Sequence, residues 1–271
     1  MTAPLWLDLD GLANARDVGG RPVAGGGTVR SRRLLRSDSP VHLSARDVRR
    51  LVDDLGLDTV VDLRTGVEVR AEGHGPLADA TGVGVHHLSL FPESEPAPAS
   101  VASRSAGVGT APVQPEVLPW QDPSSERARA TARRTYLRYL DERPDSVLTA
   151  LRLISRSLGA TLVHCAAGKD RAGVVVALAL SAVGVPRAEI VADYVASAER
   201  IEAILARLRA SATYAADSAL ADVDRHRPRA ETIEGFLTEL DAEDGGALGW
   251  LRAHGWTDAD QRVLVERLVE P

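Results

Sequence analysis

TLVHCAAGKDRAGVVVALALSAV, Thr161–Val183, reads as three pieces. Thr161–His164 is a short apolar strand. A loop of small and polar residues follows, and a helix runs from about Arg171 to Val183. The helix is apolar on all sides, which predicts a central, buried position. A buried strand feeding a buried helix through a tight loop is a building unit of parallel α/β sheets. The same stretch holds the chain's one cysteine, Cys165, and its one lysine, Lys169, among 32 Lys and Arg residues.

Working outward, the pattern predicts further alternation. Thr28–Arg36 reads as a strand, Ser44 caps a helix to about Leu55, and Thr59–Leu63 and Val85–Leu90 read as strands. Residues 92–125 are rich in Pro, Ala and Ser and read as a mobile or disordered loop. Helices are expected at 126–141, 146–158 and 187–209, with 211–228 polar and irregular. Three more are expected near 229–241, 246–253 and 257–268, the last capped by Thr257. The expected fold is therefore α/β: a central, mainly parallel sheet flanked by helices, with a helical C-terminal extension, in a single domain over 1–271.

Composition narrows the function classes. The net charge of -6 argues against a general nucleic-acid binder. A single cysteine excludes an intrachain disulfide and a zinc site built on several cysteines. The N-terminal residues show no signal peptide, and Val174–Val185 is too short and too interrupted to span a bilayer. The expected location is cytoplasmic, or exported without a recognisable signal.

The loop carries the chemistry. Between a strand end and a helix start, backbone N–H groups converge and the helix dipole adds to them, which makes an anion site suited to phosphate. The same field favours the thiolate of a cysteine placed there, here Cys165. Arg171 returns after five residues with a planar fork that can hold two phosphate oxygens. A thiolate below a phosphate clamped by arginine is arranged for attack on phosphorus. A Walker A loop is excluded, because Gly168-Lys169 is followed by Asp170 rather than Ser or Thr.

His164-Cys165-Ala166-Ala167-Gly168-Lys169-Asp170-Arg171 resembles the His-Cys-x5-Arg signature of cysteine-dependent protein tyrosine phosphatases. Its Ala-Gly-Lys-Asp-Arg core is similar to the actinobacterial secreted type, which has tyrosine, Ser/Thr and phosphoinositide activity. Asn14-Ala15-Arg16-Asp17-Val18-Gly19-Gly20, Asp62-Leu63-Arg64-Thr65 with Glu68, and Ile190–Tyr194 resemble other segments of that branch. The resemblance implies that Cys165 is the nucleophile and that Arg171 binds phosphate with the loop residues Ala166 to Asp170. His164 and Arg64 support the loop. It also implies a phosphorylated protein or phosphoinositide substrate, inorganic phosphate as product, and no cofactor or metal. Lys169 offers charge to a second anionic group. The general acid has three candidates, in the order Asp170, Asp62 and Asp122. The family usually places Ser or Thr after the arginine, where this chain has Ala172; that predicts slow hydrolysis of the intermediate, or a phosphate-binding pseudophosphatase. Residues 196–229 match a region that can cover the site as a lid.

Overall fold

The computed structural model describes residues 1–93 and 131–271. The expected mobile loop therefore lies outside the described residues, apart from Pro92 and Glu93. Among the described residues one sheet has six strands: β1 (Leu5–Trp6), β2 (Arg16–Asp17), β4 (Leu34–Ser37), β5 (Leu57–Asp62), β6 (Gly84–His87) and β7 (Ala160–His164). Their order is β1-β2-β4-β7-β5-β6. The pairings β4·β7, β7·β5 and β5·β6 are parallel, and the two at the β1 edge are antiparallel. Strand β3 (Thr28–Val29) instead pairs antiparallel with β8 (Val269–Glu270) in a separate ribbon.

Thr28–Arg36, expected as one strand, is thus two. Arg32 takes φ 58°, a left-handed turn between β3 and β4, and its N–H donates to Asp17 Oδ2 at 2.7 Å. The two halves pair with different partners, which local alternation cannot reveal.

The strands alternate faces with period two. Leu34, Val61 and Val163 enter the larger core, while their neighbours Leu35, Val60 and Leu162 enter a second one on the other side. The larger core holds α3 (Ala132–Glu142), α4 (Pro144–Arg156), α5 (Asp170–Ala182), α6 (Arg187–Ala196), α9 (Ala230–Asp244), α10 (Ala247–Ala253) and α11 (Asp258–Leu268). The smaller core takes Leu51, just past α1 (Ala45–Arg49), and Leu77. Helix α5 packs against β4, β7, α3, α4, α6 and α10, so its apolar residues all find partners, as its sequence predicts. Thr257 caps α11 through a reciprocal box with Asp260.

The helix expected over 187–209 is interrupted. A 3-10 turn at Ser197–Arg200 separates α6 from α7 (Ile201–Ala210). The following segment is also more ordered than its polarity suggests. It forms a 3-10 turn at Ser218–Ala221 and a short helix α8 (Val223–His226), and Tyr214 and Leu220 are buried against Ala166, Ile201 and Leu205. No described helix is long and apolar enough to cross a membrane.

Candidate active site

Strand β7 sits between β4 and β5, and Cys165 follows its last residue at the carboxyl end of the sheet, the edge where open α/β sheets bind ligands. The side chain is buried. The loop after it is shaped by its carbonyl groups. Ala166 O accepts from Ser39 N at 3.1 Å and Ala167 O from Asn14 Nδ2 at 2.9 Å. Gly168 O and Lys169 O accept from Arg36 Nη2 at 2.7 and 3.1 Å. The peptides of this loop are trans, so the N–H groups of Ala167, Gly168, Lys169 and Asp170 point the opposite way. Gly168 makes the turn at φ 64°, and a Cβ there would sit 2.3 Å from the Ser37 carbonyl carbon. Only glycine fits both demands.

Arg171, in the first turn of α5, is buried and grips Glu68 with both ends of its fork: Nη1–Oε2 2.6 Å and Nη2–Oε1 2.8 Å. Glu68 also accepts from Tyr214 Oη at 2.6 Å and Thr65 N at 2.6 Å. Burial opposes the charge on Glu68, but Arg171 and these donors outweigh it and hold its carboxyl below the usual range. Burial likewise works against charge on Arg171, and Glu68 more than reverses that. Glu68 is the third residue of α2 (Gly66–Glu72) and closes a capping box with Thr65. Thr65-Gly66-Val67-Glu68 is a legible helix-start signal, but nothing local marks its glutamate as the arginine's partner.

Asp170 opens α5 and lines a cavity of about 720 Å³ together with Cys165, Lys169, Arg171, Tyr139 and Tyr214. Its Oδ1 accepts from Tyr136 Oη, which lies 2.7 Å from Tyr194 Oη. Lys169 Nζ is 3.4 Å from Asp170 Oδ2 and donates to the His226 carbonyl at 2.7 Å. Ala172 is buried in the main core.

The other two acid candidates are placed differently. Asp122 lies outside the described residues. Asp62 is fully buried and is not among the residues lining the cavity. It accepts from Arg64 Nε at 3.0 Å, Arg64 Nη2 at 2.7 Å and His74 Nδ1 at 3.2 Å, with His164 Nε2 at 3.7 Å. Burial raises its pKa, yet His164, His74 and Arg64 together hold it well below the ordinary carboxylate range. Arg64 also donates to Gly73 O at 2.7 Å, tying β5 to the end of α2.

His164 is buried beneath the loop, and burial lowers its pKa from 6.5 to about 4 despite the pull of Asp62. It is therefore neutral at neutral pH. As pH falls below 6.5 the unfolded chain takes up this proton first. The stability tied to a neutral His164 is complete above that value and is lost toward about pH 4. Thermal melts between about pH 7 and pH 4.5 are expected to show a steeper decline for the wild type than for His164→Asn. Equal slopes would contradict this.

A cysteine just past a central strand, four loop carbonyls turned away and an arginine in the next helical turn are an arrangement suited to an anion approached by a sulfur nucleophile. The chain belongs to the tyrosine phosphatase family, whose model matches residues 7–270. A Cupriavidus necator protein, provisionally named a tyrosine-protein phosphatase, is 35% identical over 197 residues, 72% of this chain and 63% of its own length. The tyrosine-protein phosphatase of Nostoc commune is 35% identical over 122 residues, covering 43% of this chain and 42% of its own. The triple specificity protein phosphatase PtpB of Mycobacterium tuberculosis is 33% identical over 210 residues, 74% of this chain and 72% of its own. The match thus spans less than two thirds of the Cupriavidus and Nostoc proteins.

Proposed function

We propose that this chain hydrolyses phosphotyrosine through a phosphocysteine intermediate. The observation that carries the reading is the loop itself: the carbonyls of Ala166 to Lys169 are held away, which aims its amides toward the cavity shared by Cys165 and Arg171. The Cys165 thiolate attacks phosphorus; an S–P bond forms as the bond to the phenol oxygen breaks. Asp170, in the cavity and steadied by Tyr136, gives its proton to the leaving oxygen. Asp170 then takes a proton from water, whose oxygen attacks phosphorus and expels the sulfur, releasing inorganic phosphate. Arg171 and the loop amides bear the charge of the transferring group throughout. Asp62 serves to hold Arg64 and His164, not to transfer the proton.

Lys169 supports a wider range that includes phosphoinositides, since its ammonium lines the cavity beside Asp170. Ala172 favours a slow second step, because a hydroxyl there would donate to the departing sulfur. Stopped-flow hydrolysis of p-nitrophenyl phosphate in chelator is expected to show a burst followed by slow turnover. Ala172→Ser, chosen because the position is buried, is expected to raise the steady rate about tenfold or more. No burst and no turnover by the wild type would refute the phosphatase reading. An unchanged steady rate in Ala172→Ser would refute the role given to that position.

We also propose that 196–229 acts as a cover. Tyr214 is its latch, packed on Ala166 and bonded to Glu68. A hydrogen bond to a charged group is worth about 1.5–3 kcal/mol. Tyr214→Phe is therefore expected to speed alkylation of Cys165 by a bulky maleimide by about 10-fold or more. An unchanged rate would count against the latch.

A further inference from the structure

We infer that Arg36 and Asn14, which lie behind the phosphate loop and outside the cavity lining, are positioning residues that set its affinity for a phosphate dianion. The inference rests on the reading of the loop as a phosphate site. A loop of alternating donors and acceptors binds an anion only if its acceptors face elsewhere. Arg36 reaches two of them, Gly168 O and, together with Gly173 N at 3.0 Å, Lys169 O, and Asn14 turns a third, Ala167 O. Arg36 lies on β4 in register with Val163 of β7, so its side chain passes under the loop from the neighbouring strand. Gly173 leaves room for it: a Cβ there would lie 3.2 Å from Arg36 Nη2.

Both residues are themselves held. Arg36 Nη1 donates to Asp193 Oδ2 at 2.5 Å, while Asp193 Oδ1 accepts from Arg16 Nε at 3.0 Å and Arg21 Nη2 at 2.9 Å. Asn14 Oδ1 accepts from Arg16 Nη1 at 2.7 Å, which fixes its amide so that Nδ2 faces the loop. The cluster Arg16, Arg21, Arg36 and Asp193 is buried and holds three guanidiniums against one carboxylate. Its excess positive charge lies on the loop's far side, where an anion in the loop is attracted across little water. A lysine at position 36 would keep the charge but lack the fork that reaches both carbonyls and Asp193 together.

Binding of inorganic orthophosphate, measured by calorimetry with melting temperature as a control, tests this without requiring turnover. Arg36→Lys is expected to weaken binding about 10- to 100-fold, and Asn14→Ala about fivefold, one ordinary hydrogen bond. The KM for p-nitrophenyl phosphate is expected to rise in parallel. Folded variants that both bind orthophosphate within twofold of wild type would overturn the proposal. If Arg36→Lys does not fold, Asn14→Ala decides alone, and unchanged binding overturns it. A wild type that binds orthophosphate but never hydrolyses an aryl phosphate would refute the enzyme reading while leaving this one standing; one that does not bind it refutes both.

Discussion

Cys165→Ser is expected to lower turnover of p-nitrophenyl phosphate by about 10⁴-fold or more while leaving orthophosphate binding within a few-fold of wild type. The split follows from where the two jobs sit. On the proposed reading, binding belongs to Arg171 and the amides of Ala167 to Asp170, whose carbonyl partners are Ser39, Asn14, Arg36 and Gly173. In the proposed mechanism attack belongs to the sulfur, and an un-ionised serine hydroxyl is a far poorer nucleophile than a thiolate at neutral pH. Steady-state rates beside calorimetric titrations check both halves. Turnover within tenfold of wild type would mean that another group attacks phosphorus.

Arg171→Ala is expected to fail twice. Removing a transition-state arginine lowers phosphoryl-transfer rates by about 10³–10⁵-fold. It also strands Glu68, which is fully buried and keeps, among the described residues, the donors Tyr214 and Thr65. Breaking a buried pair from one side costs about 3–5 kcal/mol. The double variant Arg171→Ala/Glu68→Gln removes the stranded charge, so it is expected to recover much of the stability and none of the activity. Denaturant titrations compare the two. A double variant no more stable than the single one would show that Arg171 stabilises the fold by packing rather than by its pairing with Glu68.

The strand, loop and helix around Cys165 were legible because an apolar strand, a loop of small and polar residues and a buried helix are local patterns in one stretch of 23 residues. Thr257 was legible as a cap for the same reason. What required the fold were pairings across long separations. Glu68 meets Arg171 from 103 positions away, and Asp193 meets Arg16 from 177. Asp62 illustrates the limit: a carboxylate at a strand end near the loop has the right address for an acid, but its side chain turns into the core toward Arg64. The break between β3 and β4 and the interruption at Ser197–Arg200 are likewise set by what the segments pack against, since neither carries Pro or Gly to announce it. Tyr214 and Leu220 were hidden inside a polar stretch, and only their burial on Ala166 marks them.

The covalent intermediate is the central claim, and trapping it is the most direct test. Wild-type protein mixed with excess p-nitrophenyl phosphate, quenched in acid within the first turnover and measured as intact mass, is expected to carry one added phosphoryl group, mapped by peptide analysis to Cys165. The slow second step expected from Ala172 favours its accumulation. Release of a full equivalent of p-nitrophenol with no phosphoryl group on Cys165 at any quench time would contradict the account and point to direct attack by water.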